Sequence, residues 1–143
     1  MGQLTCKIVR PDRLMYEGPA ASVVLVMVDG EMGVYPGHSP FIGALGEGVM
    51  RFRQTDEQGG GTTRFVVKGG YAEVRNDEVI VLAGHARAVD DIEEDVVLAT
   101  REEACAEMAK LAQDDHRRSY YEEKVEWCDL LLAELHSAGK RGR

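Results

Sequence analysis

Residues 49–83, VMRFRQTDEQGGGTTRFVVKGGYAEVRNDEVIVLA, decide the fold, because they contain two strand–turn–strand patterns in succession. In the first pattern, residues 49–53 and 62–67 are rich in β-branched and aromatic side chains, which favour strands. Residues 54–61 lie between them and include three consecutive glycines, which suit the tip of a hairpin. The pattern therefore predicts two antiparallel strands joined by a long, glycine-rich loop.

The second pattern predicts another hairpin, in which residues 71–74 and 78–83 flank the polar turn 75–77. Towards the N-terminus, residues 4–9 alternate with a period of two, which is typical of a half-buried strand. Residues 21–28, ASVVLVMV, lack polar alternation and predict a strand that is covered on both faces. Strands that recur roughly every 8–12 residues between glycine-rich turns indicate an antiparallel sandwich or barrel.

From residue 89 onward the apolar period changes to that of helices. The acidic run at residues 90–95, DDIEED, favours a helix start, where the helix dipole stabilises carboxylates. Residues 113–119 interrupt the pattern, so we expect an antiparallel hairpin of two helices. The predicted apolar stripes are Val97, Ala104, Met108 and Leu111 on the first helix, and Tyr121, Val125, Cys128, Leu132 and Leu135 on the second. The first stripe is thin, which favours an arm that detaches easily.

Charge divides unevenly between the two predicted domains, residues 1–88 and 89–143. The chain has a formal net charge of −8, and residues 90–143 carry −7 of it. An acidic chain lacks the basic surface that general nucleic-acid binding requires, which argues against that class. No apolar run reaches the roughly 20 residues of a membrane helix, and the first residues lack a signal-peptide core. We therefore expect a cytosolic chain.

The side chains that usually carry chemistry form no constellation in this sequence. No pair of histidines has the spacing of a metal site, and the cysteines are odd in number and widely separated. We therefore predict no catalytic site, no metal site and no cofactor. The residues concerned are His38, His85, His116, His136, Cys6, Cys105 and Cys128.

The segment at residues 30–40, GEMGVYPGHSP, predicts a rigid turn. Pro36 and Gly37 suit the two central positions of a type II turn, because proline fixes its φ and glycine accepts the positive φ that follows. Gly30 and Gly33 suggest a further tight bend around Glu31 and Met32. His38 has no convergent partner in the sequence, so we interpret it as a turn residue or a contact to a partner protein.

Two motifs carry a resemblance to a known family. Residues 30–51, GEMGVYPGHSPFIGALGEGVMR, resemble the signature of the epsilon subunit of bacterial F-type ATP synthases. Residues 66–83, VVKGGYAEVRNDEVIVLA, resemble the second signature of that family. The resemblance implies an N-terminal antiparallel β-sandwich at residues 1–88, followed by an antiparallel helical hairpin at residues 89–143.

The same resemblance implies a non-catalytic rotor subunit of the central stalk, which couples proton flow through the c-ring to ATP synthesis. The sandwich would bind the gamma subunit, and its turn would contact the c-ring. The expected contact residues are Glu31, Met32, Tyr35, Pro36, Gly37 and His38. The chain would then be peripheral, on the cytoplasmic face of the bacterial inner membrane, and membrane-associated only through the complex.

In the same family, the helical hairpin is a mobile regulatory arm that inhibits ATP hydrolysis when it extends into the catalytic alpha/beta head. The resemblance assigns the contacts with the head to Arg117, Arg118 and Lys124. Some members bind ATP through a motif at the start of the first helix. Here that motif is degenerate at Ile92, Glu93 and Val96, because Val96 replaces the arginine that would pair with phosphate, so we expect weak or no ATP binding.

Two other classes compete with the rotor hypothesis. One is a free-standing, ligand-sensing β-sandwich with a helical output arm, and it requires a pocket. The other is a small sandwich enzyme, and it requires histidines and carboxylates that converge on facing strands. Residues 1–89 contain only two histidines, which disfavours the enzyme. Co-purification with large partners would favour the rotor subunit.

Overall fold

The computed structural model describes residues 2–141 of the chain, with side chains as far as Ser137. The chain divides into two compact units, with the boundary in the sequence between Asp90 and Asp91. The first unit is built of strands and the second of two α-helices. The predicted β-sandwich followed by a helical hairpin is therefore confirmed.

The strands of the first unit form one continuous sheet with the order β2-β1-β8-β7-β6-β3-β4, and β5 pairs with β7. Neighbouring strands are antiparallel, except that β1 and β8 are parallel. The strands are β1 (Leu4–Arg10), β2 (Arg13–Ala20), β3 (Ser22–Met27), β4 (Gly30–Val34), β5 (Phe41–Ala44), β6 (Glu47–Arg53), β7 (Thr62–Arg75) and β8 (Glu78–Ala88).

A glycine pair in the middle of β7 lets this sheet fold over on itself. The first half of β7 pairs with β6 and the second half with β5, while β8 pairs with both halves. Gly69 and Gly70 lie at the change of partner with φ of +71° and +106°. A Cβ atom on Gly70 would overlap the carbonyl oxygen of Leu82, so only glycine fits there. The two halves enclose one core, which includes Leu4, Ile8, Val23, Leu25, Phe52, Val67, Val74, Val79 and Val81.

The sheet differs from the sequence-based prediction in its continuity. Residues 62–67 and 71–74 were expected to be separate strands, whereas both belong to β7. Glycine within a strand often marks a tight bend, and here the pairing with β8 resumes at Gly70 and Ala83 after it is interrupted at Gly69. Strands β2 and β5 were not predicted, because Gly18, Pro19 and Gly43 weaken their strand patterns.

Two local expectations around β3 and β4 are wrong. Residues 21–28 were expected to be covered on both faces, but full burial alternates along β3, at Val23, Leu25 and Met27. The tight bend expected between Gly30 and Gly33 is instead strand β4, which pairs with β3 along its length. The apolar residues of β4 alternate with its exposed residues, and that period of two determines the strand.

The second unit is the expected antiparallel hairpin of α1 (Glu94–Ala109) and α2 (Arg118–Arg141). Val97 and Ala104 of α1 are buried, as the predicted stripe requires. Among the described side chains of α2, Cys128 and Leu131 are buried, whereas the predicted stripe contained Leu132. Both leucines fit a step of three to four residues after Cys128, so the period alone could not choose between them.

Candidate partner-binding surfaces

The turn that follows β4 has the predicted type II geometry. The N–H of His38 donates to the carbonyl oxygen of Tyr35 at 3.1 Å, which closes the turn around Pro36 and Gly37. Gly37 has a φ of +88°, as its position in a type II turn requires. The turn presents Tyr35, whose side chain is 63% exposed, to solvent. It therefore combines a fixed backbone with an exposed aromatic ring.

Glu31 and Met32 occupy opposite sides of β4, because neighbouring residues of a strand alternate. The Glu31 carboxylate is exposed and accepts a hydrogen bond from Arg51 Nη1 of β6 at 3.1 Å. Met32 is partly buried against the core. Glu31 is thus available to a polar partner, whereas Met32 helps to hold the strand in place.

His38 is oriented by its own backbone. Its Nδ1 lies 2.6 Å from the carbonyl oxygen of Ser39, and since a carbonyl only accepts, Nδ1 carries the proton. In the neutral ring, Nε2 is then the acceptor. Within the described residues, no group of three or more His, Cys, Asp and Glu side chains is arranged to hold a metal ion. The arrangement suits a hydrogen-bonding contact at the protein surface.

A second surface, the outer apolar face, was not predicted from the sequence. We define it by Ile42, Tyr71 and Leu82, whose side chains are 68%, 61% and 52% exposed. Tyr71 and Leu82 lie directly opposite each other on β7 and β8, and Ile42 pairs with Glu73 on the same face. A shallow groove of about 350 Å³ adjoins Leu82, and another of about 290 Å³ adjoins Ile42. Side chains alternate between the buried and exposed faces of β7 and β8, so alternation in the sequence was the available signal for this face. It failed because the outward residues Tyr71 and Leu82 are apolar and therefore resemble core residues in the sequence.

The residues of the degenerate ATP motif lie around the start of α1. Ile92 is buried, Glu93 is the N-cap residue, and Val96 is about half exposed. The first turn of α1 adds the exposed carboxylates of Glu94 and Asp95. Carboxylates at this position repel a phosphate group, and Val96 itself carries no positive charge to bind one. The expectation of weak or no ATP binding remains a prediction.

The three basic residues expected on the regulatory arm all have partners within the second unit. Arg117 forms a bidentate ion pair with Asp115, with Nη2–Oδ2 and Nε–Oδ1 distances of 2.7 and 3.1 Å. These hydrogen bonds hold the pKa of the Asp115 carboxyl well below its usual value. Lys124 lies 5.6 Å from the centre of the Tyr120 ring, within the range of a cation–π interaction.

Arg118 connects the two helices of the hairpin. Its Nη1 donates to the carbonyl oxygens of Met108 at 2.9 Å and Leu111 at 3.3 Å. The Met108 carbonyl lies in the last turn of α1, where it also accepts from the Leu111 N–H at 3.1 Å, and the Leu111 carbonyl lies just beyond the helix. Two further contacts cross the hairpin, Arg101 Nε with Asp129 Oδ1 at 2.6 Å and His136 Nε2 with Glu94 Oε1 at 3.2 Å. Arg118 therefore supports the folded hairpin.

Comparison with protein families decides what this chain is related to. Residues 3–89 match the model of the ATP synthase delta/epsilon chain, beta-sandwich domain. The match covers more than half of the chain and the whole of the eight-stranded sheet. The chain belongs to the ATP synthase delta/epsilon-chain family. It is accordingly an accessory subunit and not itself catalytic, so the enzyme hypothesis is wrong.

Relatives of the epsilon-chain family match over most of this chain. The ATP synthase epsilon chain of Synechococcus elongatus is 34% identical over 117 residues, which are 82% of each chain. That of Rhodopirellula baltica is 41% identical over 101 residues, which are 71% of this chain and 76% of the relative. The first match extends beyond the residues of the family model and therefore includes part of the helical unit.

Solved structures of rotary ATP synthases contain chains with this fold. A chain in the Euglena gracilis mitochondrial ATP synthase, solved as OSCP/F1/c-ring, has a TM-score of 0.69 and 26% identity and covers 95% of this chain and 83% of its own. A chain in the central stalk/c-ring structure of the Tetrahymena thermophila enzyme has a TM-score of 0.52 at 10% identity, which shows the fold alone. Over the described residues, neither helix is long and apolar enough to cross a membrane.

Proposed function

We propose that this chain is the central-stalk subunit that joins the gamma subunit to the c-ring of an F-type ATP synthase and couples proton flow to ATP synthesis. The observation that carries the proposal is the closed, exposed turn around Pro36 and Gly37 in a chain of the epsilon family. The related Euglena chain comes from an assembly that includes a c-ring, which supports this assignment.

The two surfaces suit two different partners. Strand β4 offers the Glu31 carboxylate, and the turn after it offers the Tyr35 ring and the His38 imidazole, which suit the polar loops expected at the end of a c-ring. The outer apolar face offers three exposed apolar side chains between shallow grooves, which suit a large and stable protein interface. We assign the turn to the c-ring and the outer apolar face to the gamma subunit.

We also propose that the helical hairpin extends into the alpha/beta head and restrains ATP hydrolysis. In the folded hairpin, Val97 and Ala104 are the only buried residues among those described in α1. The first helix therefore loses few large contacts when the hairpin extends. Extension is then a population shift between two states of similar free energy. Arg117 and Lys124 exchange their internal partners for acidic groups of the head in the extended state.

The proposed location follows from the proposed complex. The chain is peripheral, on the cytoplasmic face of the bacterial inner membrane, and is held there by the rotor. A tagged chain should therefore co-purify from detergent-solubilised membranes with the gamma subunit, the c-ring and the catalytic head. Recovery of the chain alone from the soluble fraction would contradict the rotor assignment and favour the free-standing sensor.

Inhibition by the hairpin predicts a change in ATPase activity. A chain that ends after Ala88 lacks both helices. We expect the ATP synthase assembled with it to hydrolyse ATP faster than the complex with the full chain, because the restraint is missing. The measurement is the ATPase rate of purified complexes that contain equal amounts of either chain. Equal rates would contradict inhibition and leave the coupling role unaffected.

A further inference from the structure

We propose that Asp77 is a positioning residue that fixes the turn around Gly37 in the form that its partner recognises. The side chain of Asp77 reaches the turn from a loop 40 residues further along the chain, where its Oδ1 accepts a hydrogen bond from the Gly37 N–H at 2.7 Å. The inference rests on the proposed function, because it concerns the surface that we assign to the c-ring.

The hydrogen bond from Gly37 acts on the central peptide of the turn, whose orientation Pro36 and Gly37 favour but do not fix by themselves. Type I and type II turns differ in the orientation of their central peptide, which here joins Pro36 and Gly37. The turn's own hydrogen bond, from His38 to Tyr35, is common to both types. The bond to Asp77 holds the N–H of the central peptide itself and therefore selects the type II form. It is also charge-assisted, which makes it stronger than a bond between neutral groups.

Asp77 itself lies on a rigid support. Asn76 and Asp77 have φ of +52° and +60° and form the two-residue connection between β7 and β8. Positive φ at both positions is the type I′ geometry that suits a tight hairpin. The backbone carbonyl of Asp77 also accepts a hydrogen bond from the Thr5 N–H of β1 at 2.9 Å. The backbone of Asp77 is thus fixed by the β7–β8 hairpin and by β1, while its carboxylate accepts the hydrogen bond from the turn.

The N-terminal segment lies against the same corner. A Cβ atom built on Gly2 would be 3.2 Å from Pro36 Cβ and 3.9 Å from Asp77 Oδ2. Three segments distant in sequence therefore meet at Asp77: the N-terminal segment, the turn after β4 and the β7–β8 connection. Arg75 and Glu78 pair on either side of that connection, which fixes how far Asp77 reaches.

The chain offers a clean way to remove the carboxylate. Asp77→Gly leaves the sequence Asn-Gly at the hairpin, which is a preferred type I′ pair, so β7 and β8 remain joined as before. Only the acceptor for the Gly37 N–H is lost. Asp77→Asn is the matched control, because its side-chain oxygen still accepts and asparagine tolerates positive φ.

The first measurement is hydrogen exchange of the Gly37 amide, followed by NMR in the full chain. We expect exchange to become about tenfold faster in Asp77→Gly and to stay close to wild type in Asp77→Asn. Unchanged exchange in Asp77→Gly would overturn the proposal, because the carboxylate would then not hold the turn.

The second measurement is binding of the full chain to a purified, detergent-solubilised c-ring with its gamma subunit. We expect Asp77→Gly to bind several-fold more weakly and Asp77→Asn to bind as the wild type does. Tyr35→Ala, at the exposed ring, tests the proposed c-ring contact independently. If Tyr35→Ala weakens binding and Asp77→Gly does not, the positioning role is overturned and the proposed function stands. If neither variant weakens binding, the contact at this turn and the positioning role both fail.

Discussion

At the scale of single residues, one glycine makes the sandwich possible. Gly70 combines a φ of +106° with the close approach of the Leu82 carbonyl oxygen, and each condition alone disfavours a side chain. The neighbouring Gly69 also has positive φ, but no atom lies within 4 Å of a Cβ built there. The two glycines therefore have different roles, since Gly69 needs only its conformation while Gly70 also needs the space.

The first prediction concerns Gly70→Ala. We expect it to lower the free energy of unfolding by about 2–4 kcal/mol, because the new Cβ displaces the β8 backbone and strains φ. Urea denaturation of the full chain, followed by circular dichroism, measures the change. Gly33→Ala is the matched control, since Gly33 is extended in β4 and a Cβ there would make an ordinary contact with Tyr35. A Gly70→Ala chain as stable as the control would contradict the proposed role of the bend.

The second prediction concerns how the stability of the chain depends on pH through Asp115, which lies in the segment between the two helices. The ion pair with Arg117 lowers the pKa of Asp115 in the folded chain. Ionised Asp115 therefore stabilises the fold above its unfolded pKa of about 3.9, and this contribution is lost as the pH falls towards the folded pKa. The free energy of unfolding of the wild-type chain should fall between about pH 7 and pH 3. We expect it to fall by a smaller amount in Asp115→Asn, because this variant has no carboxylate to protonate at position 115.

The control for this prediction is Asp114→Asn, which removes the same charge one residue away. Urea midpoints at the two pH values measure both variants. If Asp114→Asn removes as much of the acid dependence as Asp115→Asn does, the effect comes from net charge and not from the ion pair with Arg117.

At the scale of elements, the hairpin depends on the C-terminal end of α1. Carbonyl oxygens at and just after a helix end need hydrogen-bond donors from outside the helix. Arg118, the first residue of α2, donates to the Met108 carbonyl in the last turn of α1 and to the Leu111 carbonyl just beyond it, and so connects the second helix to the first. The resemblance assigned Arg118 to the catalytic head, and the same side chain cannot serve both contacts at once. The proposed contact of Arg118 with the head therefore requires it to release the carbonyl oxygens of Met108 and Leu111.

The third prediction concerns Arg118→Ala. We expect it to destabilise the hairpin by about 1–2 kcal/mol, because two carbonyl oxygens lose a charged donor. Trp127 is the only tryptophan and lies on α2, so its fluorescence during urea denaturation reports on this unit alone. Arg117→Ala is the control, since the partner of Arg117 lies two residues away and does not connect the helices. An equal loss in both variants would contradict the role of Arg118 as the link.

The elements show what the sequence could predict. The hairpin β6–β7, the hairpin β7–β8 and both helices follow from local periods, and their prediction is confirmed. The type II turn also follows from local chemistry, because Pro36 and Gly37 allow few other conformations. The Asp77 contact could not be predicted, since it joins segments 40 residues apart. The parallel pair of β1 and β8 is likewise determined by the packing of the whole sheet.

At the scale of the whole molecule, the first unit presents two surfaces that differ in chemistry. The turn is polar and held by hydrogen bonds, whereas the outer apolar face is a flat arrangement of Ile42, Tyr71 and Leu82. A polar contact that is held in shape fixes the orientation of a partner through directed hydrogen bonds, while an apolar contact contributes binding through buried area. The two surfaces therefore suit the proposed subunit, which would be attached to two partners of different chemistry.

The fourth prediction concerns Leu82→Glu. We expect this variant to fold normally and to lose most of its binding to the gamma subunit, because a charge is placed within the proposed interface. Co-purification of tagged chains with gamma measures the loss. The matched control is Val28→Glu, which introduces the same charge at a side chain that is 70% exposed and lies outside the outer apolar face. Equal recovery of gamma with both variants would place the interface elsewhere.

The bend at Gly69 and Gly70 has a mechanical consequence. Strand β8 begins beside the turn surface and continues without interruption to Ala88, where the chain leaves for the helices. Its pairing with β7 holds on both sides of the bend, at Lys68 with His85 and at Gly70 with Ala83. In the proposed rotor, torque applied at the turn would be carried along the continuous backbone and along rows of hydrogen bonds loaded in shear. Two layers joined only by side-chain packing would slip under the same load, whereas a sandwich built from one continuous sheet would resist it.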